Sequence, residues 1–259
     1  MDSSHSLFPM TVLLLVVSLP VCSAGATGIY RDAPSYFFQF DTTSVVFTVK
    51  HSDIQRDEGC VTIFGGMFDL RVRSGTHLRL GLMYPAMQRE WDIAHDTGYG
   101  RASAAVRILG DSLESTGLYA RADAYIPVGS RTMYPFSYES FDVGGGIEYY
   151  ERTSLFGYRA SASYTMVGER NKEGSYENRN FLMTALSIDV DLWESTCFRF
   201  SVFIMSFRGG DSREVYLATF RQALSVDLDI VVDAALDAGG DTERIFNSLF
   251  SLGLSYRFQ

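Results

Sequence analysis

The chain of 259 residues has few cysteines, almost no lysine and little positive charge. Only two of its 22 basic residues are lysine, and the formal net charge of −9 argues against a nucleic-acid partner, because the phosphate backbone attracts cationic surfaces. With three cysteines and four histidines spread along the chain, we find no clustered His/Cys set for zinc and expect neither a metal nor another cofactor. Beyond the N-terminus no apolar run approaches the roughly 20 residues of a transmembrane helix.

The N-terminus predicts a secretory signal peptide. An apolar run over 10–21 is followed by small residues, so we expect cleavage after Ala24 or Ala26, with 1–24 removed and 25–259 forming one domain. About a dozen apolar residues are too few for a membrane anchor. The leader is atypical because no Lys or Arg precedes the apolar run. Cys22 would be the lipidated residue of a lipoprotein, but Val21 before it is not the small residue usual there.

The end of the chain shows what the sequence does contain. In 246–258 apolar and aromatic residues alternate with small or polar ones, which is typical of the last strand of a bacterial outer-membrane β-barrel: one face meets lipid, and the other meets the lumen. We expect the apolar face to act as the signal that the barrel-assembly machinery recognises. Its members are Phe250, Leu252, Leu254, Tyr256 and Phe258.

The rest of the chain repeats this alternation, with long and short connections in turn. This predicts an all-β fold, a transmembrane antiparallel up-and-down barrel of about twelve strands (range 10–14) in the bacterial outer membrane. A soluble β-sandwich has no reason to alternate its loop lengths. The predicted strands are 36–50, 60–73, 76–88, 98–109, 115–127, 138–151, 155–167, 179–192, 196–207, 214–224, 226–237 and 245–258.

Two places leave the strand count open. In the first predicted strand, Phe38 and Phe40 would point to one face and Val45 and Phe47 to the opposite face. Either a bulge shifts the register, or residues 28–42 lie outside the wall. The turn near Ser225 has no Gly, Asn or Pro, so one long strand could replace two. On this strand map Cys60 and Cys197 lie at opposite ends of the barrel, and we expect no disulfide between them.

Parity also predicts which side chains enter the lumen. An arginine facing lipid at mid-membrane would cost about 2–4 kcal/mol. In each strand, we therefore expect the set of alternate residues that carries the charges to face inward. We expect these residues to line a solute path that selects by charge and by aromatic contact. An equally open alternative is that their ion pairs fill a narrow lumen and seal it. The predicted lumen residues are Tyr119, Arg121, Asp123, Tyr125, Arg159, Asp189, Asp191, Arg199, Arg221, Asp227, Asp229 and Asp233.

Four short pieces of sequence resemble a family of outer-membrane barrels described as phenol-degradation meta-pathway or transporter-like proteins. They are 80–85 (Leu-Gly-Leu-Met-Tyr-Pro), 98–101 (Gly-Tyr-Gly-Arg), 125–130 (Tyr-Ile-Pro-Val-Gly-Ser) and 252–258 (Leu-Gly-Leu-Ser-Tyr-Arg-Phe). The family commonly has Gly-Asp where this chain has Gly100 and Arg101. The resemblance implies a barrel that passes small, often aromatic or apolar, compounds across the outer membrane.

The sequence contains few candidates for enzymatic chemistry. Some outer-membrane barrels cut lipids, which requires a nucleophile and a base in contact at the outer rim. His51 beside Ser52, and His95, are the candidate bases, but neighbours on a strand point to opposite faces. Three glycines at 144–146 lack the Lys-Ser/Thr of a phosphate-binding loop and instead suggest bending of the wall or close approach of a lumenal group.

The sequence thus predicts a passive outer-membrane channel for a small, aromatic or apolar solute, without enzymatic activity. Its expected partners are membrane lipid, the barrel-assembly machinery and the solute. One alternative is a structural or interaction barrel with a plugged lumen, and another is a lipid-modifying enzyme of the outer membrane.

Overall fold

The computed structural model describes residues 43–53, 60–73, 75–89, 92–95, 99–110, 115–128, 141–166, 180–193, 195–207, 212–240 and 248–258. The predicted signal peptide, the lipidation alternative at Cys22 and residues 28–42 lie outside these ranges. Thirteen strands are described: β1 Thr43–Asp53, β2 Cys60–Arg73, β3 Thr76–Arg89, β4 Asp92–His95, β5 Tyr99–Gly110, β6 Thr116–Pro127, β7 Asp142–Arg152, β8 Phe156–Met166, β9 Phe181–Trp193, β10 Thr196–Phe207, β11 Ser212–Ala223, β12 Leu228–Gly240 and β13 Ser248–Phe258.

Twelve of these strands close into one antiparallel barrel, which confirms the predicted fold. Each wall strand pairs with its neighbours in chain order, and β1 pairs with β13 to complete the ring. The seam matches Thr43 with Phe258 and His51 with Phe250. Closure leaves no open edge, so every wall strand has a backbone partner on both sides, as a lipid environment requires. In the part of the chain that the structure describes, no helix has the length and apolarity to cross a membrane.

The details refine the predicted strand map and settle one of its open points. The first described strand is β1 (Thr43–Asp53), which runs three residues beyond the predicted end at 50, and its outward side chains include Val45, Phe47 and Val49. A turn at 224–227 does separate β11 from β12, although it has no Gly, Asn or Pro, because the Ser225 hydroxyl accepts a hydrogen bond from the Leu228 backbone N–H at 3.2 Å. The short strand β4, which pairs with the end of β3, lies in a predicted loop.

Alternation along each strand separates two environments. Outward side chains are apolar and exposed, whereas inward ones are buried and often polar. In β9 the outward Leu186 is 63% exposed and the neighbouring inward Ser187 is 3% exposed. An apolar exterior is stable against lipid and not against water, since burial of apolar surface is worth about 25 cal/mol per Å². The molecule therefore has the architecture of an outer-membrane β-barrel.

The short turns lie at one end of the barrel, together with the ends of β1 and β13 that close the ring. In such barrels this end faces the periplasm. Cys197 lies near it, at the start of β10, and its thiol is free. Cys60 begins β2 at the opposite end. The predicted separation of the two cysteines is confirmed.

Candidate functional site: the barrel lumen

Charged side chains fill the lumen on the arc from β2 to β7. We call this group the ion-pair cluster. Asp123 lies at its centre and accepts hydrogen bonds from Arg101 at 2.7 Å and from Arg121 at 2.9 Å. Arg121 also reaches Glu148 at 3.0 Å, and the side chains of both are 0% exposed. The pairs link neighbouring strands because opposed residues in an antiparallel ladder share a face. The cluster comprises Asp69, Arg79, Arg101, Arg121, Asp123 and Glu148.

Aromatic rings complete this arc. The Arg101 guanidinium lies 5.5 Å from the ring centre of Tyr125, and the Tyr119 ring meets His77 edge-on at 5.9 Å. Tyr119 and Tyr125 are both buried. The structure places these two tyrosines, Arg121 and Asp123 on the inner face of β6, where the rings pack against protein groups and do not face open space.

Gly146 explains how the wall accommodates the cluster. It faces inward opposite Arg121 in the β6–β7 ladder. A Cβ at this position would lie 2.1 Å from the carbonyl oxygen of Ala162 and 2.6 Å from Cα of Ser163, which are backbone atoms of β8. The glycine therefore allows β7 and β8 to approach closely. The sequence suggested bending or the close approach of a lumenal group at 144–146, whereas the atoms that approach Gly146 most closely belong to the backbone of β8.

The arc from β9 to β13 is different, since its outer half is apolar. We call these inward side chains the apolar lining, and all of them are buried. Toward the outer rim it ends at the Arg213–Asp237 ion pair, 3.1 Å long. The apolar lining comprises Phe181, Met183, Ala185, Phe203, Met205, Val215, Leu217, Ala235 and Leu249.

Sequence reasoning missed the apolar lining although the signal was present. Phe181, Met183 and Ala185 share the parity of Asp189 and therefore enter the lumen with it. Charged residues indicate the inward parity of a strand, but parity alone does not show that apolar residues of five neighbouring strands meet in one patch. The same reasoning omitted charged lumen residues whose strands had not been assigned by parity, among them Asp69, Arg79, Arg101 and Glu148.

Below the apolar lining, hydroxyl groups form a polar row. Ser201 donates a hydrogen bond to Ser187 at 3.0 Å, and Thr219 donates to Asp233 at 2.6 Å. Asp233 is buried in this row, and its Oδ1 accepts the hydrogen bond from Thr219. The row separates the apolar lining from the charged end of the same arc.

A cavity of about 200 Å³ opens at the periplasmic end of this arc. We call it the vestibule. It contains five arginines and three aspartates, so the charges of its lining sum to +2. This is opposite in sign to the net charge of the whole chain. The charged lining residues are Arg152, Arg159, Asp189, Asp191, Arg199, Arg221, Asp229 and Arg257.

Two aspartates of the vestibule are each held by two arginines. Asp189 accepts hydrogen bonds from Arg199 at 2.5 and 2.9 Å and lies 3.4 Å from Arg159. Asp229 accepts from Arg221 at 2.7 Å and from Arg257 at 2.8 Å. Each of these triads carries a net charge of +1. The third aspartate, Asp191, pairs with Arg152 alone at 2.5 Å.

The structure brings six of the twelve predicted lumen residues into the vestibule. These are Arg159, Asp189, Asp191, Arg199, Arg221 and Asp229. Arg152 and Arg257 were missed, although Arg257 has the predicted lumenal parity of the last strand. Asp227 is a correction: it lies in the 224–227 turn before β12, where its backbone carbonyl accepts a hydrogen bond from the backbone N–H of Arg257 at 2.7 Å.

The histidine at the outer rim was the candidate base for an enzyme. His51 points outward, and its Nδ1 lies 3.0 Å from the hydroxyl oxygen of Thr62 on β2. Thr62 is its direct cross-strand neighbour, so the contact joins two strands of the wall. The side chains of Ser52 and His95 lie outside the described residues. Within the described ranges no group of three or more His, Cys, Asp or Glu side chains could hold a metal ion.

Comparison with solved structures shows the same barrel in channels of low sequence identity. The COG4313 outer membrane channel from Pseudomonas putida F1 has a TM-score of 0.63 at 11% identity, over 84% of this chain and 96% of that one. NanC porin has a TM-score of 0.60 at 8% identity, over 83% of this chain and 100% of that one.

KdgM porin, solved in complex with disordered oligogalacturonate, has a TM-score of 0.56 at 9% identity, over 83% of this chain and 99% of that one. No protein-family model and no curated protein sequence matches the chain. At these identities the likeness establishes the fold.

Proposed function

We propose that the protein is a passive outer-membrane channel for a small apolar or aromatic solute. The apolar lining is the observation that carries this proposal. A closed barrel that served only as a wall would need no continuous apolar patch inside, next to a polar cavity. The structural neighbours support the same role, since they are described as channels and porins. The resemblance to phenol-degradation barrels supports an aromatic solute.

The solute would pass along the β9–β13 arc. The ion-pair cluster fills the opposite arc, and its side chains are held by several charge-assisted hydrogen bonds, which are the strong ones in proteins. On the β9–β13 arc the apolar lining contains Met183 and Met205, and methionine side chains can change rotamer at low cost. We therefore expect a narrow path that opens by movement of Met183, Met205 and their neighbours.

We also infer that the barrel carries out no covalent chemistry. His51 contacts the hydroxyl of a cross-strand threonine, and such pairs between neighbouring strands stabilise a sheet. A nucleophile and its base would also need a third group that orients the base.

The test is conductance of the refolded full chain in planar lipid bilayers, with a matched pair of variants. Phe203 points into the lumen and is fully buried, while Phe200 on the same strand points to lipid. Removing the lumenal ring widens the path, so we expect small steps for the wild type and larger steps for Phe203→Ala. Phe200→Ala should conduct like the wild type. Equal conductance of both variants would place the path elsewhere and contradict the proposal.

A second candidate function is a structural or interaction barrel with a plugged lumen. The burial of the whole ion-pair cluster favours it, because charged side chains that line an open aqueous pore are expected to be exposed to water. Silence in bilayers from a folded, heat-modifiable barrel, in the wild type and in Phe203→Ala alike, would establish this function instead.

A further inference from the structure

In its two triads the vestibule presents cations and hides anions. The side chains of Arg199, Arg221 and Arg257 are 19%, 26% and 30% exposed, whereas those of Asp189 and Asp229 are 1% exposed each. Arg159 is buried, and in the remaining pair both Arg152 and Asp191 are accessible, at 36% and 26%. A group that enters beside the triads therefore meets three guanidinium groups, with the two triad carboxylates behind them. This arrangement differs from a row of neutral ion pairs, in which both partners would be equally accessible.

The charge of the two triads also favours an anion. Each triad contains two arginines and one carboxylate, so the charges of its three side chains sum to +1. Guanidinium groups have several donors in a planar fork that fits the oxygens of a carboxylate. A cavity of about 200 Å³ is smaller than the roughly 300–1,000 Å³ of pockets for drug-sized ligands, so the anion is small.

We infer that the vestibule is a binding site for a small organic carboxylate, and that the transported solutes are apolar compounds carrying one such group. This inference rests on the proposed channel function and narrows its substrate class. The apolar lining and the vestibule lie on the same arc, separated only by the polar row. A solute with an apolar body and a carboxylate finds both surfaces along one path, and the arginines draw the charged group to the periplasmic end.

The experiment measures binding of benzoate to the folded full chain in neutral detergent by isothermal titration calorimetry. The test variant is Arg199→Gln/Arg257→Gln. It removes two exposed cations, leaves Arg159 beside Asp189 and Arg221 beside Asp229, and lowers the charge of the vestibule lining from +2 to zero. The control is Arg73→Gln, an exposed arginine at the periplasmic end of β2 that donates a hydrogen bond to Thr76 at 3.3 Å. Heat-modifiable migration checks the fold of each.

Benzoate should bind the wild type and Arg73→Gln equally and the double variant at least about tenfold more weakly, since the double variant loses two charged hydrogen-bond donors. Benzyl alcohol, which keeps the ring and loses the charge, should bind more weakly than benzoate. Inorganic phosphate, which keeps the charge and loses the ring, should also bind more weakly.

Equal benzoate binding by the wild type and the double variant would overturn the inference. So would binding of phosphate as tight as that of benzoate, because an anion would then be recognised without an apolar body. Conductance tests the channel proposal separately. Conductance steps in bilayers together with no benzoate binding would support the channel and contradict the carboxylate site. If the barrel binds benzoate in an arginine-dependent manner but does not conduct, the carboxylate site is supported and its role in transport is contradicted.

Discussion

At the scale of single residues, the lumen is held together by buried charges whose partners come from neighbouring strands. Asp123 shows the principle, because it is shared by Arg101 and Arg121 and also accepts a hydrogen bond from Ser103 at 2.6 Å. Taking such groups out of water is costly, and the cost is recovered only while every partner remains in place. Loss of one partner should therefore be felt more strongly here than at a half-exposed pair.

Asp123→Asn should destabilise the barrel by about 3–5 kcal/mol, because it leaves two buried arginines without their shared counter-charge. Asp191→Asn breaks a pair whose side chains are 36% and 26% exposed, so it should cost about 1 kcal/mol or less. Midpoints of urea unfolding in lipid vesicles measure both changes. Equal midpoints for the two variants would show that the ion-pair cluster does not stabilise the fold.

Gly146 gives a second prediction at this scale. A methyl group there meets backbone atoms of β8 that cannot move aside, so Gly146→Ala should lower stability by about 1–3 kcal/mol. Its neighbour Gly145 faces outward, and a Cβ there would lie 3.5 Å from the Arg121 carbonyl oxygen, which is an ordinary contact. Gly145→Ala should therefore unfold like the wild type. A lower melting temperature for this control would argue against the close-approach explanation.

At the scale of elements, the strands were largely predictable and the lumen only in part. Alternation has a period of two in any half-buried strand, so β2 and β10 were predicted with the bounds that the structure gives. Parity also placed Asp189 and Arg199 in the lumen. It could not show that Asp189 lies behind two arginines, because the exposure of a side chain depends on neighbours from β8 and β10 that alternation along β9 does not describe.

The last strand is the element with a proposed partner. Phe258 closes its outward face, with ring centres 5.1 Å from Tyr256 and 6.2 Å from Phe68. If the assembly machinery reads this face, Phe258→Ala should lower the amount of folded barrel in cells several-fold and leave refolding in detergent unchanged. Phe47→Ala removes an outward ring on β1 that is 61% exposed, and cells should tolerate it. Equal levels of both variants in membrane fractions would exclude the aromatic end as the signal.

At the scale of the whole molecule, the alternation of long and short connections fixes the orientation. Thr153 lies in the short β7–β8 turn and Val128 just beyond β6 at the opposite end, and both are exposed. In a background with Cys60→Ser and Cys197→Ser, Val128→Cys should react with a large maleimide reagent on intact cells. Thr153→Cys should react only after the outer membrane is opened. The reverse pattern would mean that the barrel is inserted upside down relative to our assignment.

The seam between β1 and β13 also has a consequence for how the molecule forms. Because β1 pairs with β13, the ring cannot close until β13 has been synthesised. Until then β1 and β12 would both present unpaired edges, which invite association with other chains. Before closure, protection of these edges from aggregation therefore has to come from outside the barrel.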